Sequence, residues 1–72
     1  MLNQEEIEMV SLVVDYFDHW QTIATRKEIY DQIKAERLFS PGRMLSIFPV
    51  LTFMVISKQL TWNPKGYYSK NW

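Results

Sequence analysis

The sequence predicts a small α+β domain in which three helices precede a two-stranded C-terminal hairpin. Three observations predict it. Two capping signatures, Asn3 with Glu6 and Thr25 with Glu28, each stand ahead of apolar residues at helical spacing. A Ser40-Pro41 pair opens a third, strongly apolar run. Near the C-terminus, Asn63-Pro64-Lys65-Gly66 separates two β-prone triplets, Leu60-Thr61-Trp62 and Tyr67-Tyr68-Ser69.

The first helix is expected from about residue 3 to residue 20, with Asn3 and Glu6 each satisfying the other's free backbone donor. Ile7, Val10, Val14 and Phe17 supply its buried stripe, and Val13 and Trp20 widen it. Early acids Glu5 and Glu6 suit the positive end of the helix dipole. The segment Gln21 to Ala24 is too short and too β-branched to continue this helix; it is a turn or a very short strand. Thr25 then caps a second helix over 25–36, with Ile29 and Ile33 on one face and Lys27 and Asp31, four residues apart, on the opposite one. Leu38 and Phe39 are expected to anchor the third segment.

In that segment, Pro41 sits at a first helical position, where its missing N–H leaves nothing unsatisfied. From Met44 to Ile56 the only non-apolar members are Ser46, Pro49 and Thr52. As a helix this run is about 20 Å long, short of the ~30 Å hydrocarbon core of a bilayer, so a membrane span is not expected. Pro49 should kink or divide the helix near Phe48. In the tail, Asn at the first turn position, Pro at the second and Gly at the fourth specify a type I turn with a left-handed Gly. An isolated hairpin is marginal in water, so residues 22–24 are a natural third strand.

The 72 residues form one domain, 1–72, and a chain of this size buries only about 60% of its unfolded surface. It contains no cysteine, so stability must come from an apolar core or from self-association. The composition supports a core, being 47% hydrophobic and 15% aromatic. Absence of cysteine fits a cytoplasmic protein. The first twenty residues, with five acids and no Lys or Arg, do not read as a signal peptide.

Catalysis is not expected. The two glycines, Gly42 and Gly66, cannot build a phosphate-cradling loop, and no serine stands in a motif that pairs it with a base and an orienting acid. The single histidine, His19, has Asp15 and Asp18 nearby, but without a second His or a Cys it reads as a surface histidine; no metal or cofactor is expected.

The formal net charge is zero, yet the chain is polarised. Residues 1–20 hold Glu5, Glu6, Glu8, Asp15 and Asp18 and no Lys or Arg; residues 21–72 hold all eight basic residues and three acids. No acid occurs from Arg37 to Trp72. Such asymmetry favours one face that tolerates polyanions, although solvated helix faces also produce it. In the tail, Trp62, Tyr67, Tyr68 and Trp72 lie beside Lys65 and Lys70. That mixture suits base stacking, or packs the hairpin onto the helices, with Tyr68 and Trp72 the better candidates for exposure.

The order helix, short strand, capped helix, turn, helix, hairpin resembles the winged-helix superfamily over about residues 22–69. Thr25-Arg26-Lys27-Glu28-Ile29 opening the second helix, the Leu51–Leu60 run closing the third, and Thr61 to Tyr68 as the wing carry the resemblance. It implies a nucleic-acid-binding regulator of double-stranded DNA, with the third helix in the major groove and the wing at a phosphate or the minor groove. Phosphate contacts then fall to Arg26, Lys27 and Lys65, base-facing contacts to Arg43 and Ser46, and backbone attraction to Lys58 and Lys70. The third helix is poor in the polar side chains that read base edges. That opens the alternative: a protein-protein interaction module, accessory factor or inhibitor, using the apolar Met44–Phe53 surface for a partner or a homodimer.

Overall fold

The computed structural model describes residues 2–72. Its elements are α1 (Gln4–His19), β1 (Ile23–Thr25), α2 (Arg26–Arg37), α3 (Pro41–Met44), α4 (Ile47–Ile56), β2 (Leu60–Asn63) and β3 (Tyr67–Lys70). The mixed α+β class is the one the sequence predicts, and the starts of α1, α2 and α3 are set by the expected caps. Asn3 Oδ1 accepts from the Glu6 N–H at 2.8 Å while Glu6 accepts from the Asn3 N–H at 3.1 Å. Thr25 and Glu28 repeat the arrangement at α2.

The third helical segment is divided, but upstream of Phe48. α3 is a single turn, and the chain re-enters a helix at Ile47. Pro49 has no N–H to give the carbonyl of Leu45, and its ring crowds that carbonyl. Leu45 O instead accepts a long bond from the Phe48 N–H, 3.4 Å. The break therefore falls at Leu45–Ser46, and Pro49 occupies the first turn of α4, where a missing donor is harmless.

Three strands form one antiparallel sheet in the order β1-β3-β2. Tyr68 lies opposite both Ala24 and Trp62, so β3 is central and residues 23–25 supply the third strand. The hairpin closes as its turn residues dictate: the Gly66 N–H donates to Asn63 O at 2.8 Å, the Lys65 N–H donates to Asn63 Oδ1 at 2.8 Å, and Gly66 has φ 98°. Two non-glycine residues also take left-handed conformations, Leu38 (φ 53°) at the end of α2 and Lys58 (φ 66°) after α4. At Lys58 the bonds from the Gln59 N–H to Met54 O and from the Lys58 N–H to Val55 O form a Schellman ending.

The core is apolar throughout, with Met9, Val13, Tyr16 and Phe17 of α1, Ile29 and Ile33 of α2, Met44 of α3, and Ile47, Val50, Leu51 and Met54 of α4. Ala24, Leu60 and Tyr68 close it from the sheet. The buried stripe of α1 differs from the expected one. Met9 and Tyr16 are inside, whereas Ile7 and Trp20 are exposed, because α1 turns the 9-13-16-17 face toward α2 and α4. Tyr68 is buried rather than exposed, since the central strand points it into the core. Leu38 anchors nothing: it is 86% exposed. Among the described residues, no helix is long and apolar enough to cross a membrane.

Candidate interaction face on α4

Helix α4 contains one polar side chain, Thr52, in ten residues. A helix of that composition has no polar face to give to solvent. Ile47, Val50, Leu51 and Met54 enter the core, and the other side leaves Phe48, Pro49, Thr52, Phe53 and Ile56 exposed. Ile56 is the extreme case at 74% exposure.

Neighbouring elements extend this surface. Tyr30 of α2 stacks on Phe48, with centroids 6.3 Å apart and planes 12° from parallel. The Arg26 guanidinium lies 5.3 Å from the Phe48 centroid and the Lys34 ammonium 5.8 Å from that of Tyr30. A hollow of about 350 Å³ opens among Arg26, Lys27, Tyr30, Asp31 and Phe48. Further along α4, a second of about 250 Å³ is lined by Thr52, Val55, Ile56, Trp62 and Tyr68. Arg26, Trp62, Gly66 and Tyr68 line a third, which links the start of α2 to the hairpin. The result is one aromatic and aliphatic face running from α2 across α4 to β2.

The basic residues singled out in the sequence do not converge on one patch. Arg43 is turned toward α1, where its guanidinium meets Glu8 at 3.0 Å and Glu5 at 3.4 Å and lies 5.0 Å from the Phe39 centroid. Only 19% of its side chain is exposed, and its Nε is buried without a hydrogen-bond partner. Ser46 donates its hydroxyl to Arg43 O at 2.9 Å and so secures the α3–α4 junction. Lys27 is held by Asp31 at 2.7 Å. Lys70 reaches Asp18 at 3.5 Å and lies over Trp72. Among the described residues, Arg26, Lys58 and Lys65 take part in no ion pair, and all three are exposed.

Two carboxylates are tuned by these contacts. The Trp72 indole N–H, followed by Lys70, holds the Asp18 carboxyl below its ordinary range. The Thr25 backbone N–H and hydroxyl do the same for Glu28. Burial pushes the Tyr16 phenol up, with the Glu28 charge adding to it.

The expected Met44–Phe53 surface is exposed only in part, because Met44, Ile47, Val50 and Leu51 are in the core, and Tyr30, Ile56 and Trp62 join the face without being expected there. For Ile56 the signal was present: a run too apolar for one-sided burial. Tyr30 carries no such signal, because only the tertiary arrangement places Phe48 against it. Comparison with protein-family models, with curated proteins and with solved structures finds no match for this chain.

Proposed function

We propose that this chain is a cytoplasmic protein-docking module, an accessory factor or inhibitor whose partner seats on the outward face of α4. One observation carries the reading: the exposed side of α4 presents Phe48, Pro49, Phe53 and Ile56 with Thr52 as its single hydroxyl. Base edges are read by paired donors and acceptors such as those of Arg, Asn or Gln. An apolar helix face flanked by Tyr30 and Trp62 offers the anchors that protein interfaces favour instead. The test is to place a charge on that face. Phe53→Asp and Ile56→Asp are expected to keep the circular dichroism spectrum while abolishing self-association or partner capture. Loss of the fold in both variants would return this side of α4 to the core and sink the proposal.

A second reading, a small DNA-binding regulator of winged-helix type, is favoured by Arg26, Lys58 and Lys65, which carry no carboxylate partner. The element order and the placing of β1 against β3 support it as well. Fluorescence anisotropy of a mixed-sequence duplex, repeated across salt concentrations, separates the two. Docking alone predicts no duplex binding at low salt. Micromolar binding that weakens steeply with salt and disappears in Arg26→Glu with Lys65→Glu would promote the DNA reading.

A further inference from the structure

We infer that the occupant of the α4 face is an acidic segment of another protein that carries bulky apolar side chains. This rests on the docking reading. The apolar side chains are called for by two hollows on the face. One is lined by Phe48 together with Arg26, Lys27, Tyr30 and Asp31 of α2, and the other by Thr52, Val55 and Ile56 of α4 with Trp62 and Tyr68. An amphipathic segment seats its apolar side chains in hollows of this kind.

The charge of the partner is set by the cations around the face. Arg26 borders the first hollow and, with Trp62 and Gly66, the one that leads to the hairpin. Lys65 precedes Gly66 in the turn, and Lys58 lies just beyond the C-terminal end of α4. Asp31 is the one acid that lines these hollows, and Lys27 already holds it. The remaining acid of the first half of α2, Glu28, lines none of these three hollows but a separate one, with Tyr16, Trp20, Gln21, Asp31 and Gln32. An apolar strip edged by unanswered cations is complementary to an acidic amphipathic segment.

The same charges argue against a second copy of this chain. In a two-fold pair with antiparallel α4 helices, the Arg26 end of one copy meets the Lys58 end of the other. With parallel helices, Arg26 meets Arg26. Glu5, Glu8 and Asp18 of α1 are already engaged by Arg43 and Lys70. Both pairings leave like charges opposed.

The experiment pans a phage-displayed library of random peptides against the full chain. Enriched peptides are expected to be net acidic and to carry large apolar residues. Their affinity should fall roughly tenfold or more in both Ile56→Asp and Arg26→Glu. Ile56 is 74% exposed, so its replacement leaves the core intact; Thr52→Asp, in the same hollow, repeats the test should Ile56→Asp unfold the chain. Neutral or basic winners that still lose affinity in Ile56→Asp would overturn the acidic occupant and leave docking standing. Absence of any binder sensitive to Ile56→Asp or Thr52→Asp would overturn both. A dimer in sedimentation equilibrium that Ile56→Asp splits would assign the face to a second copy and overturn this inference.

Discussion

The indole N–H of Trp72 donates to the carboxylate of Asp18 at 2.7 Å, tying the second residue beyond the hairpin to the last turn of α1. Lys70 approaches the same oxygen at 3.5 Å, and the Trp72 ring meets Phe17 edge-on at 6.3 Å. Both polar contacts favour the ionised carboxylate, so the folded-state pKa of Asp18 lies below its unfolded value. A depressed acid stabilises the fold above its unfolded pKa and loses that contribution as pH falls through the folded one. Glu28, depressed by its capping bonds to Thr25, acts in the same direction. The urea midpoint should therefore hold from neutrality down to about pH 5 and decline below about pH 4. Asp18→Asn should lower the midpoint at pH 7 and flatten the acid limb. An unchanged limb would mean that the Trp72 clasp does not persist in solution.

Arg43 gives a contrast between two cations that look alike in sequence. Its guanidinium is mostly buried against Glu5, Glu8 and Phe39, whereas Lys65 projects from the hairpin turn. Arg43→Ala removes the aliphatic packing and both ion pairs, and should destabilise the fold by about 1–3 kcal/mol. Lys65→Ala should change stability by less than about 0.5 kcal/mol. Paired urea titrations read the difference directly. Equal midpoints would show that the Arg43 contacts contribute nothing net, as exposed ion pairs often do. Arg43→Glu is accordingly a poor probe of nucleic-acid contact, because it would weaken the fold along with any binding.

What was legible in the sequence was local chemistry. The reciprocal caps at Asn3/Glu6 and Thr25/Glu28, the Ser40-Pro41 start and the Asn63–Gly66 turn each involve groups within a few residues. Their outcome hardly depends on the rest of the chain. The mixed class and the third strand came from them. The misplaced features are those decided at a distance. α1 is apolar around more than half its circumference, so α2 and α4 choose the stripe with Met9 and Tyr16 over the one with Ile7 and Trp20. Pro49 acts on the carbonyl four residues upstream, which moved the break to Leu45–Ser46. The fate of Arg43 was set by Glu5 and Glu8, which no spacing rule connects to it. Tyr68 went inside because it shares the sheet face of the buried Ala24, opposite it on β1.

The two glycines respond oppositely to a methyl group. Gly66 closes the hairpin at φ 98°, a conformation that L side chains resist, although nothing lies within 4 Å of where its Cβ would stand. Gly66→Ala should destabilise by about 1–2 kcal/mol through backbone strain alone. Gly42 lies in the single turn of α3 with equally open space around it. Gly42→Ala should stabilise by about 0.5–1 kcal/mol, since alanine gives up less backbone freedom on entering a helix. Matching midpoint shifts of the same sign would refute the assignment of Gly66 as the left-handed turn residue.

Leu38 offers the reverse experiment. It ends α2 in a left-handed conformation at φ 53°, with its N–H donating to Lys34 O at 2.8 Å. Glycine is the usual occupant of that position because a Cβ there clashes with the backbone. The side chain gives little back: at 86% exposure it has almost no packing to offset the strain. Leu38→Gly should therefore raise stability by about 0.5–1 kcal/mol despite the greater freedom glycine adds to the unfolded chain. Leu38→Ala retains the Cβ and should leave stability within about 0.5 kcal/mol of wild type. The ordering Gly above Ala and Leu in urea midpoint is the diagnostic result. A Leu38→Gly variant less stable than Leu38→Ala would show that the end of α2 is not left-handed in solution.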